Sequence, residues 1–197
     1  MGRGAADVES LRVFCAVELP SEVRAAAAAH AARLRRDFPD TRASWVRPQG
    51  LHVTLKFIGE LEPARLESLT RAAAAAAWKL GPFELSIEGA GTFPPKGVAR
   101  VLWLGVRDAS GQLARLQGRL ETASHAAGFP HEAKRFNPHL TVARLRQAKG
   151  ADELSEAHRR SAFGPYTFSV SELVVMRSEL GPGGSRYTAL SRHALAG

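Results

Sequence analysis

The sequence predicts an α+β fold of antiparallel or mixed sheets with helices packed on one face. Three observations predict it. Strand-like and helix-like segments alternate along the 197 residues, yet several neighbouring strands are joined by loops too short for a parallel crossover. The helical stretches are Ala- and Arg-rich, whereas the strands are rich in Val, Phe and Leu. A short phrase, His-apolar-Thr-apolar, occurs at His52-Val53-Thr54-Leu55 and again, 87 residues on, at His139-Leu140-Thr141-Val142. Each copy lies on a strand after a long helix, which points to two related halves.

Along the chain, Leu11 to Leu19 reads as a strand ended by Pro20, and Pro20 to about Phe38 as a helix opened by that proline and stopped before Pro39. Trp45 and Val46 form a short strand. His52 to Ile58 is the next, closed by Gly59, and Pro63 to Trp78 is a second Ala-rich helix. Strands over Phe83–Gly89 and Val98–Val106 flank a Gly/Pro loop from Gly91 to Gly97. Asp108 or Ser110 caps a helix running to about Ala127, with Leu113, Leu116 and Leu120 on one face and Gly128 as its stop. His139 to Arg146 is the second motif strand. A short helix over Asp152–Arg160 comes next, then strands over Tyr166–Arg177 and Arg186–Leu195 with Gly181-Pro182-Gly183-Gly184 between them.

Composition narrows the function classes. The chain can bury a core as one domain or two closely packed lobes, with residues 1–10 as a flexible N-terminal tail. The single Cys15 excludes an internal disulfide and, set in an apolar run, reads as a buried, inert thiol. No signal-peptide core or membrane span is visible, so a cytoplasmic protein is expected, with a monomer as the default. A formal net charge of +8 favours polyanionic partners, although its basic clusters are scattered and form no long tail.

The repeated phrase carries the chemistry. Side chains alternate along a strand, so each copy presents His and Thr on one face and two apolar residues on the other. A solvated amphipathic strand explains one copy well, because such a tetrapeptide arises by chance in roughly one chain in twenty of this length. Two copies point to a shared site. Imidazoles titrate near neutrality, so one can act as base while the other acts as acid. Two on opposed strands suit in-line displacement at phosphorus, with the threonine hydroxyls bonding the non-bridging oxygens. The other histidines (His30, His125, His131, His158, His193) show no metal-ligand spacing, and neither motif has a neighbouring carboxylate; no metal or cofactor is expected. By strict alternation Lys56 shares the face of His52 and Thr54 and could meet phosphate, whereas Arg144 falls on the face opposite His139.

The paired motifs, with "LRVFCAVELP", "WVRPQGLHVTLKFIGEL", "VLWLGV", "GFPHEAKRFNPHLTVARL" and "SELGPGGSRYTAL", resemble the two-histidine phosphoesterase superfamily. Within it the chain is similar, over nearly its whole length, to the RNA 2′,3′-cyclic phosphodiesterases formerly called 2′–5′ RNA ligases. The resemblance implies a bilobal fold, two sheets each backed by helices, with one motif on each wall of a central cleft. It implies metal-independent hydrolysis of RNA or nucleotide 2′,3′-cyclic phosphates to 2′-phosphates. His52 would be the general acid, His139 the general base, and Thr54 and Thr141 would hold the phosphoryl oxygens. Arg144 matches the family's arginine after the second motif, so the resemblance places it on phosphate despite its alternation parity. Rival expectations are RNA end-joining by the reverse reaction, a non-catalytic RNA or nucleotide binder, and a core role for the two strands.

Overall fold

The computed structural model describes residues 10–146, 149–181 and 184–197; most of the expected tail, with Pro182 and Gly183 of the last turn, lies outside them. Among the described residues, nine strands form two sheets. The first, in the order β3-β1-β8-β9, is built from β1 (Leu11–Glu18), β3 (His52–Leu61), β8 (Glu172–Gly181) and β9 (Gly184–Ala194). The second, in the order β2-β6-β5-β4-β7, takes β2 (Ala43–Trp45), β4 (Phe83–Phe93), β5 (Val101–Arg107), β6 (His139–Leu145) and β7 (Tyr166–Val170). Every paired neighbour is antiparallel.

Helices back both sheets, but each sheet borrows from both halves of the chain. Helix α1 (Ser21–Asp37) leaves the first sheet and packs on β6 and on α4 (Ala151–Arg159) of the second. Helix α3 (Gln112–Ala126) leaves the second sheet and packs on β3 and on α2 (Leu66–Ala77) of the first. The exchange ties the lobes together: buried side chains of both sheets, from Val13 and Val53 to Leu140 and Val142, join one apolar cluster.

Local chemistry sets the boundaries. Pro20 stands at the N-cap of α1, which ends at Phe38 before Pro39. The N-cap of α3 is Gly111, not Asp108 or Ser110, but both expected residues bond its first turn from outside: Asp108 Oδ2 accepts the Ala114 N–H at 3.1 Å and Ser110 Oγ that of Gln112 at 3.3 Å. Gly128 (φ +81°) ends it, as only a residue tolerant of left-handed backbone can.

Three boundaries correct the sequence reading, the first being β3, which runs through its expected stop at Gly59 to Leu61. The strand expected over Tyr166–Arg177 is two strands in different sheets, β7 and β8, separated at Ser171. Buried apolar residues occur on both sides of Ser171 (Phe168 and Val170, then Leu173 to Met176) because both pieces face core, so strand composition alone does not reveal the switch. The loop expected from Gly91 begins later, since Gly91, Thr92 and Phe93 still pair with β5. A Cβ on Gly91 would lie 2.2 Å from the Trp103 ring, so the glycine there serves the indole's close approach and does not mark a turn.

Candidate active site

The two sheets meet through β3 and β6, the strands that carry the two motifs. On each, the apolar partners sink into the core (Val53, Leu55, Leu140, Val142) while His and Thr stay half-buried on the other face. Strict alternation holds through the four motif residues and then breaks in both strands at the same place.

The break is a β-bulge at the motif's last residue. In β3, Thr54 pairs with Ala16 and Lys56 with Cys15, leaving Leu55 as the extra residue. In β6, Thr141 pairs with Trp103 and Ala143 with Leu102, leaving Val142 extra. One added residue shifts side-chain parity by one. Lys56 is therefore turned into the core, 3% exposed, where its Nζ donates to Glu121 Oε2 and to the Pro130 carbonyl, both at 2.8 Å. The expectation that Lys56 faces phosphate is thereby corrected. The same shift returns Arg144 to the face of His139 and Thr141 and leaves it exposed, against strict alternation and in line with the resemblance. Phe57 occupies the matching place in the first lobe, 59% exposed and 6.0 Å from the Phe14 ring.

Each imidazole is anchored in the same way. His52 Nδ1 donates to the Gly50 carbonyl at 2.8 Å, and His139 Nδ1 to the Asn137 carbonyl at 2.7 Å. A carbonyl only accepts, so both rings carry their proton on Nδ1 and present a bare Nε2 when neutral. Rings hold them on the other sides. His52 stacks on Phe14 at 4.6 Å and meets the edge of Tyr187 at 5.0 Å, while His139 meets Phe93 at 5.0 Å. Gly50 makes room for this packing, for a Cβ there would lie 2.9 Å from the Tyr187 ring.

Burial, the largest influence on each, favours the neutral imidazole. It lowers His52 to about 4 and His139 below its ordinary value. The neighbouring charges differ in sign: Glu18, paired across from His52, raises that pKa, and Arg144 lowers that of His139. The hydroxyls of Thr54 and Thr141 make no hydrogen bond among the described residues and are free to donate. No group of three or more His, Cys, Asp or Glu side chains among the described residues could hold a metal ion.

Sequence reasoning missed Phe14, Phe57, Phe93, Glu18 and Tyr187. Four of them lie in segments quoted for the resemblance, but β1 is apolar on both faces, so parity there could not single out Phe14 or Glu18.

Comparison with known proteins places this geometry. Residues 20–182 match the family model of the 2′-5′ RNA ligase superfamily. The RNA 2′,3′-cyclic phosphodiesterase of Methanothermobacter thermautotrophicus is 34% identical over 181 residues, covering 90% of this chain and 95% of that protein. The enzyme of that name from Thermus thermophilus is 33% identical over 192 residues, covering 95% and 91%. The crystal structure of Escherichia coli LigT complexed with 3′-AMP superposes with a TM-score of 0.73 at 26% identity, over 96% of this chain and 100% of that one. With the paired motif strands, the two antiparallel sheets and these likenesses in agreement, the chain belongs to the 2′-5′ RNA ligase superfamily.

Proposed function

We propose that the protein hydrolyses RNA and ribonucleotide 2′,3′-cyclic phosphate ends to 2′-phosphates, with two imidazoles as acid and base and no metal in the reaction. The observation that carries this reading is the matched anchoring of His52 and His139. Each Nδ1–H is committed to a carbonyl and each Nε2 is left open on the motif face. A ring held in this way gains or loses a proton at Nε2 without losing its anchor, which a group cycling a proton requires. The names of the relatives and the 3′-AMP bound by LigT support RNA phosphate as the ligand class.

The roles that the resemblance implies order the steps. Water attacks phosphorus as His139 Nε2 takes its proton; the P–O3′ bond breaks as His52 Nε2–H protonates O3′. The product carries a 2′-phosphate and a free 3′-hydroxyl, and exchange with solvent resets the two rings. Glu18 beside His52 pulls towards its imidazolium and Arg144 beside His139 towards the neutral base, although burial outweighs both and lowers His52 the further. The anionic substrate supplies the remaining bias, since its charge raises the pKa of a ring that burial has lowered. Thr54, Thr141 and Arg144 donate to the oxygens on which charge accumulates, the kind of contact typically worth about 2.7–4 kcal/mol. Phe57 offers an exposed ring to the terminal base.

The test is incubation in EDTA with a 2′,3′-cyclic phosphate substrate. The reading predicts a 2′-phosphate product that single replacement of either histidine by alanine abolishes. Binding without product, or a folded protein whose two single mutants both keep most activity, would overturn it. The superfamily's name supports a second reading, 2′–5′ joining, in which a ribose hydroxyl replaces water in the same chemistry run backwards. Water at bulk concentration makes hydrolysis the dominant direction.

A further inference from the structure

Beyond Arg144, the second sheet continues as a basic surface that the hydrolytic chemistry does not use. Strand β2 pairs with β6 so that Ser44 lies opposite Arg144 and Ala43 opposite Leu145. Ala43 and Leu145 pack against the core, which leaves Ser44 and Arg144 on the motif face, the cleft face of the proposed reading. The ladder runs one step further, with the Arg146 N–H donating to the Arg42 carbonyl at 2.9 Å, so parity puts Arg42 and Arg146 on that face too. Arg146 is braced there, its Nε donating to Ser44 Oγ at 2.7 Å. All three arginines are exposed, and no carboxylate among the described residues pairs with any of them.

The His52 side of the first sheet is built the opposite way. There Arg192 is neutralised twice, by Glu18 at 2.6 Å and Glu172 at 2.9 Å. A polyanion leaving the two histidines meets carboxylates in one direction and three uncompensated guanidinium groups in the other. Successive cleft-face positions on β6 are about 6.6 Å apart along the strand, a spacing that an extended ribonucleotide chain can follow phosphate by phosphate.

We infer that Arg42 and Arg146, with Ser44 as brace, form a track for the RNA body. It binds phosphates upstream of the reacting one and makes the protein prefer single-stranded oligonucleotides over mononucleotides. This rests on the phosphodiesterase reading. The basic groups act on affinity through phosphate charge and read no base, so the preference is for length and is salt-dependent.

The experiment compares kcat/KM for a short oligoribonucleotide ending in a 2′,3′-cyclic phosphate with that for adenosine 2′,3′-cyclic phosphate. It does so in the wild type, in Arg42→Ala/Arg146→Ala and in Arg42→Lys/Arg146→Lys. The inference predicts that the oligonucleotide-to-mononucleotide ratio falls about tenfold in the alanine double variant and is largely kept in the lysine one. The salt slope for the oligonucleotide should fall by about 1.4 log units per log unit, two single-strand phosphate contacts' worth. An unchanged ratio and slope in the alanine variant, or a wild type with no preference for the oligonucleotide, overturns the inference and leaves the phosphodiesterase reading standing. A wild type that hydrolyses neither substrate overturns that reading itself.

Discussion

The motif strands β3 and β6 share one local design and differ immediately beyond it. Each runs His-apolar-Thr-apolar, anchors its histidine to the carbonyl two residues earlier, and bulges at the motif's fourth residue. After the bulge the first lobe buries Lys56 and exposes Phe57, whereas the second buries Ala143 and exposes Arg144. In the proposed mechanism the duplicated part supplies what the reaction needs twice, an imidazole and a hydroxyl. In the same proposed reaction, the residues that return to the motif face after each bulge supply what it needs once, a stacking ring in one lobe and a fixed charge in the other.

That comparison can be broken at several points. Replacing His52 or His139 by alanine should each lower kcat/KM by about 10³-fold or more, since each performs one proton transfer. Equal loss in both, with unchanged circular dichroism, separates chemistry from folding. Next in size is the asymmetric pair. Arg144→Ala should cost about 10²-fold, mainly in kcat, because its contact strengthens as charge develops. Phe57→Ala should cost about tenfold or less, mainly in KM, with Phe57→Leu recovering part of it. A result in which the two variants are indistinguishable by steady-state kinetics would erase the proposed difference between the walls.

Lys56 provides the control. Lys56→Met leaves Glu121 without its buried partner and should destabilise by about 3 kcal/mol in denaturant titrations, with little change in kcat for the folded fraction. A large kcat loss at full folding would return Lys56 to the site.

The pH dependence of stability is the smallest effect. His30, His52, His139 and His158 all have folded pKa values below the ordinary imidazole value, chiefly through burial. The fold thus binds fewer protons than the unfolded chain, so this stability is present above about pH 6.5. It is lost as pH falls towards about 4, the value for His30 and His52. Thermal melts should show the midpoint dropping by more than about 5 °C between pH 7 and pH 4.5. A flat or rising midpoint contradicts that sign.

Much of the fold and site is legible in the sequence because it is local. Alternation in His52–Leu55 and His139–Val142 gives the two polar faces, and Asp108, Ser110 and Gly128 give the bounds of α3. What parity cannot give are the bulges, which arise from pairing with β1 and β5 and leave no mark in either strand's own residues. Both neighbours of the motifs, Lys56 and Arg144, are misplaced by that one residue. The resemblance places Arg144 on phosphate, but only the register shift explains how it turns to that face. Tyr187 and Glu18 are hidden for a different reason: they reach His52 across the sheet from β9 and β1, far away in the chain.

The central claim is that two matched imidazoles act on one phosphate. A crystal structure with the 2′-phosphate product bound tests it most directly. The account predicts both Nε2 atoms within about 2.6–3.2 Å of that phosphate group or the adjacent O3′, with both Nδ1 atoms still on the Gly50 and Asn137 carbonyls. A phosphate held by one histidine while the other's Nε2 points elsewhere would contradict it.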